Sequence, residues 1–116
     1  MKGPVHVTQH NGCIELEIFT DTIDFFNASI ILKSATHFIE TAGYPNTIIN
    51  MKNVADLSST GVGLLMEIKS LLMHHGSELS IVCTDKSILS VFNITNMKSY
   101  FDIRPHRDIV VQQYAS

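Results

Sequence analysis

The stretch from Thr47 to Leu65 constrains the fold most. An apolar run, Thr47-Ile-Ile-Asn-Met51, is followed by Ser58-Ser59-Thr60-Gly61-Val62-Gly63 and then by residues with a helical apolar repeat. A strand passing through hydroxyls and glycines into a helix defines one β-to-α turn, around which the rest of the chain must be arranged. Backbone N–H groups at a helix start are unpaired and carry partial positive charge. A hydroxyl there, from Ser58 or Ser59, caps the helix, and a phosphate attached there is held electrostatically. The turn therefore reads either as a plain N-cap or as a surface switch. Each glycine inside a helix costs roughly 0.5–1 kcal/mol relative to alanine, so Gly61 and Gly63 imply a close backbone approach. Either the first turn packs tightly on the sheet, or it leaves room for a partner surface, or both.

The remaining pattern supplies the other elements. Val5 to Gln9 and Cys13 to Phe19 are β-type runs joined through His10-Asn11-Gly12, and Asn-Gly is a strong hairpin signal because both residues tolerate positive φ. From Asp24, read as an N-cap, apolar residues recur at Ala28, Ile31, Leu32, Ala35, Phe38, Ile39 and Ala42. Gly43 and Pro45 end this helix of about five turns. Phe25 and Phe26 open it, and neighbours about 100° apart cannot both face one core, so one is expected at the surface or the helix is buried on two sides.

The helix after Thr60 runs to about His75, before Gly76. Thr60, Gly63, Glu67, Ser70 and His74 share one face, and Leu64, Leu65, Ile68, Leu71 and Leu72 the other. Glu78 to Thr84 reads as a strand, Lys86 to Ile94 as a helix capped by Asp85, Tyr100 to Arg104 as a last strand, and Arg107 to Tyr114 as a terminal helix. The expected order is ββαβαβαβα, an α/β fold with a mixed sheet, in which 13–19, 47–51 and 78–84 lie together. At 116 residues, with no repeat or linker, residues 1–116 are expected to form one domain.

Several chemistries lack their residues. No apolar run approaches the 18 or more residues needed to span a bilayer, and the first residues carry no secretory signal pattern, so a cytoplasmic protein without a membrane partner is expected. Lys and Arg stand singly in a chain of formal charge −3, which argues against nucleic acid. Cys13 and Cys83 lie far apart in apolar strands, as buried free thiols do. The six histidines lack metal-ligand spacing, and His74 and His75 point to different helix faces. The glycines follow the hydroxyls of Ser59 and Thr60 instead of flanking them, unlike a Gly-x-Ser-x-Gly elbow, and no Lys-Ser or Lys-Thr pair completes a phosphate loop. Neither an enzyme nor a bound cofactor or metal is expected.

The hydroxyl turn resembles the Asp-Ser-Ser/Thr-Gly-Leu-Gly turn of STAS domains, the fold shared by bacterial anti-sigma factor antagonists and the cytoplasmic tails of sulphate transporters. Asp21-Thr22-Ile23-Asp24 is similar to that family's Gly-Glu-Leu-Asp entry to the first helix. Ile88 to Phe101 resembles its Val-Leu-x-Leu-Thr-Gly-Leu-x-x-x-Phe segment. The family's phosphorylated serine falls on Ser59. Two departures stand out: Ser58 replaces the acidic residue before that serine, leaving Asp56 as the nearest acid, and Asp21 replaces a glycine.

The resemblance implies a non-enzymatic regulator, monomeric when free. Unmodified, it binds a serine/threonine kinase anti-sigma factor or similar switch kinase and releases that kinase's client. Phosphorylation of Ser59, with Ser58 or Thr60 as substitutes, ends binding, and a phosphatase restores it. Asp24, Phe25, Ser58, Thr60, Gly61, Gly63 and Met66 are the expected partner contacts, with the loop before the first helix, the hydroxyl turn and the exposed face of the second helix forming one surface. The rival expectation is a constitutive STAS subunit of a lipid-transport or transporter complex, in which the turn only caps its helix.

Overall fold

A computed structural model describes residues 3–115. Strands β1 (Val5–His10) and β2 (Cys13–Ile18) form the expected hairpin, with Gly12 at φ 88° in its turn. Strand β3 (Thr22–Ile23) leads to helix α1 (Ala28–Thr41), and strand β4 (Asn46–Asn50) is followed by strand β5 (Asp56–Leu57) and helix α2 (Ser59–His74). Strand β6 (Leu79–Val82), helix α3 (Lys86–Ile94), strand β7 (Asp102–Arg104) and helix α4 (Arg107–Ala115) complete the order. The sheet runs β1-β2-β4-β6-β7, antiparallel at the hairpin and parallel elsewhere, so the three expected strands do lie in one sheet. This is the mixed α/β architecture and element order read from the sequence, with two short strands added.

Those additions, β3 and β5, pair parallel in a separate ribbon, Thr22 opposite Asp56 and Ile23 opposite Leu57. Two residues are too few to show a period of two, which is why neither was expected. The ribbon ties the entries of α1 and α2 to each other.

Alternation along the strands divides the sheet into two faces. Ile14, Leu16, Ile18, Ile49 and Ile81 belong to the main core with Ile31 and Ile39 of α1 and Leu65, Ile68 and Leu72 of α2. Each of these fully buried side chains contributes about 1.5–3 kcal/mol. Cys13, Ile48 and Val82 form a smaller core against Val110, so α4 covers the opposite face. Both cysteines are buried and free, and burial is the main influence raising their thiol pKa values.

The start of the first helix differs from the reading of Asp24 as its N-cap. Helix α1 begins at Ala28, with Asn27 in the cap position, and has four turns. Asp24 instead closes the preceding turn: its carboxylate accepts from Thr22 Oγ1 at 3.0 Å, Phe26 N at 2.9 Å and Asn27 N at 3.2 Å, while Asn27 Oδ1 accepts from Asp24 N at 2.9 Å. With both side chains absorbed locally, the backbone satisfies itself short of a helix. The last strand is likewise shorter than Tyr100 to Arg104, because Tyr100 and Phe101 lie ahead of it.

Candidate functional site

The three hydroxyls of the turn have different environments. Ser58 is the N-cap of α2, with extended backbone (φ −84°, ψ 170°). Its Oγ accepts from Gly61 N at 3.2 Å and donates to Ile23 O at 3.1 Å, and its own N–H donates to the same carbonyl at 2.9 Å. Of the two capping residues the sequence allowed, Ser58 is the one used. An Asp or a Ser serves equally as N-cap, so Ser58 makes here the bond that an acidic residue would make, without adding a negative charge beside the next residue. Ser59 and Thr60 follow in the first turn. Both are exposed, and among the described residues neither their hydroxyls nor their backbone N–H groups have a protein hydrogen-bond partner. Two unpaired donors at the positive end of a 16-residue helix thus stand beside two free hydroxyls.

The two glycines answer the two halves of the close-approach question. A Cβ at Gly61 would lie 2.9 Å from the Ile23 carbonyl oxygen and 3.0 Å from Ile23 Cγ2, with Leu57 Cδ1 also too close. Only glycine lets α2 seat against the β3–β5 ribbon. A Cβ at Gly63 would meet nothing within 4 Å, so this position leaves open space.

That space belongs to a groove of about 430 Å³ between the first turns of α1 and α2. Ala28, Ser29 and Leu32 line it from α1; Thr60, Gly63, Leu64 and Glu67 line it from α2; Phe25 stands at its mouth. Phe25 is 78% exposed and Phe26 88%, their rings edge to face at 5.9 Å. The sequence places one of the two at the surface; in the structure both are there and neither faces a core, because both precede the helix in the turn closed by Asp24. Thus Phe25, Thr60 and Gly63 share one groove, and the turn formed by Asp24 adjoins the hydroxyl turn through Ile23. Gly61 is buried beneath the site, and Met66 is half-buried against the main core and does not line the groove.

A second polar cluster, on the α4 face, had no counterpart in the sequence reading. Buried Glu15 receives Arg107 Nε at 2.9 and 3.0 Å, Asn50 Nδ2 at 2.9 Å and contact with His10 Nε2 at 2.9 Å. Burial is the largest single influence and opposes ionisation, but the hydrogen bonds from Arg107, Asn50 and His10 together outweigh it and hold the carboxyl at about 2. Nearby, Ser80 Oγ is 2.7 Å from both Asp102 Oδ2 and Tyr114 Oη. These groups anchor α4. Among the described residues, no three His, Cys, Asp or Glu side chains gather as a metal would require, and no helix is long and apolar enough to cross a membrane.

Residues 5–109 match the STAS domain family. No curated protein matches the chain in sequence. Among solved structures, an anti-sigma-factor antagonist (STAS) domain protein from Planctomyces limnophilus superposes with a TM-score of 0.84 at 11% identity, covering 99% of this chain and 100% of that one. An anti-sigma factor antagonist from Mycobacterium paratuberculosis gives 0.79 at 15% identity, covering 97% and 93%. The phosphorylated form of the Bacillus cell fate determinant SpoIIAA gives 0.68 at 13% identity, covering 94% and 98%. With a family match over most of its length and the same fold in these structures, the chain belongs to the STAS domain family.

Proposed function

We propose that this STAS domain is a phosphorylation-controlled regulator that, unmodified, docks a serine-kinase anti-sigma factor or similar switch kinase and thereby frees that kinase's client. The observation that carries the reading is the exposed Ser59 hydroxyl at the first position of α2, beside two unpaired N–H groups and next to an open groove with an exposed aromatic at its mouth. Phosphorylation adds about −1.5 to −2 charges. The helix start accommodates that charge, so the fold persists, while a desolvated partner surface pressed on the turn does not tolerate it. Ser58 is a poor acceptor because its oxygen already holds two hydrogen bonds. Thr60 is the alternative acceptor, and a phosphate there would enter the groove itself. The domain acts by binding and carries out no chemistry; a phosphatase resets it.

Treatment with the cognate kinase followed by mass-spectrometric site mapping tests the reading. Phosphate on Ser59, with loss of kinase binding by the modified protein, supports it. Stable copurification with one partner whatever the phosphorylation state overturns it in favour of a constitutive subunit.

A further inference from the structure

The groove between α1 and α2 has a chemical asymmetry that selects its occupant. Its floor is apolar, from Ala28, Leu32 and Leu64, and Gly63 presents bare backbone with open space above it. On the α2 side the apolar lining ends at Glu67, an exposed carboxylate that forms no ion pair among the described residues. Glu67 lies one helical turn beyond Gly63, about 6 Å along the axis, which is the reach of one long side chain. A wholly apolar side chain in this groove would leave the exposed Glu67 carboxylate without a pairing partner. A long cationic side chain satisfies both parts: its methylene stem covers Gly63 and Leu64, and its charged head meets Glu67.

We propose that the α1–α2 groove is a receptor for one arginine side chain of the docking partner, its stem lying over Gly63 and its guanidinium paired with Glu67. The proposal rests on the partner-binding reading of this surface and adds the chemistry by which the partner is recognised. Arginine fits better than lysine because its planar fork can take both carboxylate oxygens at once.

The test titrates the ¹⁵N-labelled protein with N-acetyl-arginine N-methylamide, with the isosteric but neutral N-acetyl-citrulline N-methylamide as control, following backbone amide shifts. The expected result is saturable shifts at Thr60, Gly63, Leu64 and Glu67, with arginine about threefold or more tighter than citrulline, the scale of an exposed ion pair. Glu67→Gln, a change at an exposed position that leaves the core intact, removes the difference between the probes. Equal affinities for the two probes, shifts confined to other carboxylates such as Glu40 or Asp102, or no shift with arginine would each overturn the proposal. Ser59→Glu bars the whole partner in the switch reading yet leaves the groove in place, so the probe still binds that variant. Failure of the probe and failure of the switch are therefore read separately.

Discussion

Gly61 and Gly63 stand two residues apart in the same helix, yet alanine at each should change stability in opposite directions. Helix propensity alone favours alanine over glycine by about 0.8–1 kcal/mol at either position. At Gly63 nothing lies within 4 Å of the new Cβ, so the gain is realised and Gly63→Ala stabilises by up to that amount. At Gly61 the Cβ lies 2.9 Å from the Ile23 carbonyl oxygen, which already accepts from Ser58 N and Ser58 Oγ. Leu57 Cδ1 can turn aside, but a backbone carbonyl cannot. Relief requires α2 to shift away from the β3–β5 ribbon, at a strain of roughly 1–3 kcal/mol plus weakening of two hydrogen bonds worth about 1 kcal/mol each. The net expectation for Gly61→Ala is a loss of about 1–3 kcal/mol, or roughly 4–12 °C in Tm for a domain of this size. Urea unfolding followed by circular dichroism measures both variants. Shifts of the same sign would refute the assignment of tight packing to Gly61 and open space to Gly63.

Ser58→Ala should cost about 0.5–2 kcal/mol through the lost cap, whereas Ser59→Ala should leave thermal stability within about 0.5 kcal/mol while abolishing phosphorylation; thermal melts and phosphosite mapping check both. Phe25→Ala, at a ring 78% exposed, should leave the melting temperature nearly unchanged but weaken binding of the proposed kinase partner by about 1–3 kcal/mol, measured by calorimetry. Glu15 has a folded pKa of about 2 against an ordinary value of 4.5, so its ionised form stabilises the native state. That contribution, at most about 3 kcal/mol, is present above about pH 4.5 and is lost as pH falls through about 2. The stability difference between wild type and Glu15→Gln, from urea titrations at several pH values, should therefore shrink across that window.

The repetition of strand and helix was legible because it is written in long periodic runs: the sequence places a strand at Thr47 to Met51 and the structure forms one at Asn46–Asn50, and α2 ends at His74 where Gly76 signals a stop. The groove was half legible. Phe25, Thr60 and Gly63 were singled out, but Glu67 entered only as a member of the wet helix face, because nothing local distinguishes a carboxylate at a groove from one in open solvent. Asp24 was misread for a related reason: an Asp before an apolar repeat caps a helix or closes a turn with the same side-chain bonds, and here Asn27 decides for the turn. Glu15 was invisible. Between Ile14 and Leu16 it alternates as a solvent-facing strand residue should, and its burial depends on Arg107, 92 residues away.

That last separation bears on how the chain reaches its native state. The hairpin and the β2–β4–β6 parallel units assemble from segments that follow one another closely, but α4 must return from the far end of the sequence to cover Cys13, Glu15, Ile48 and Val82. During synthesis, one side of a nearly finished sheet stays open, displaying a free thiol and a carboxylate without its guanidinium. Closure entropy grows only as the logarithm of the loop, so the native seam holds once formed; the delay is in finding it. Exposed parallel strands waiting for a late cover are vulnerable to aggregation. A nascent chain halted at Pro105 would keep that face uncovered, whereas one extended through Tyr114 can close it.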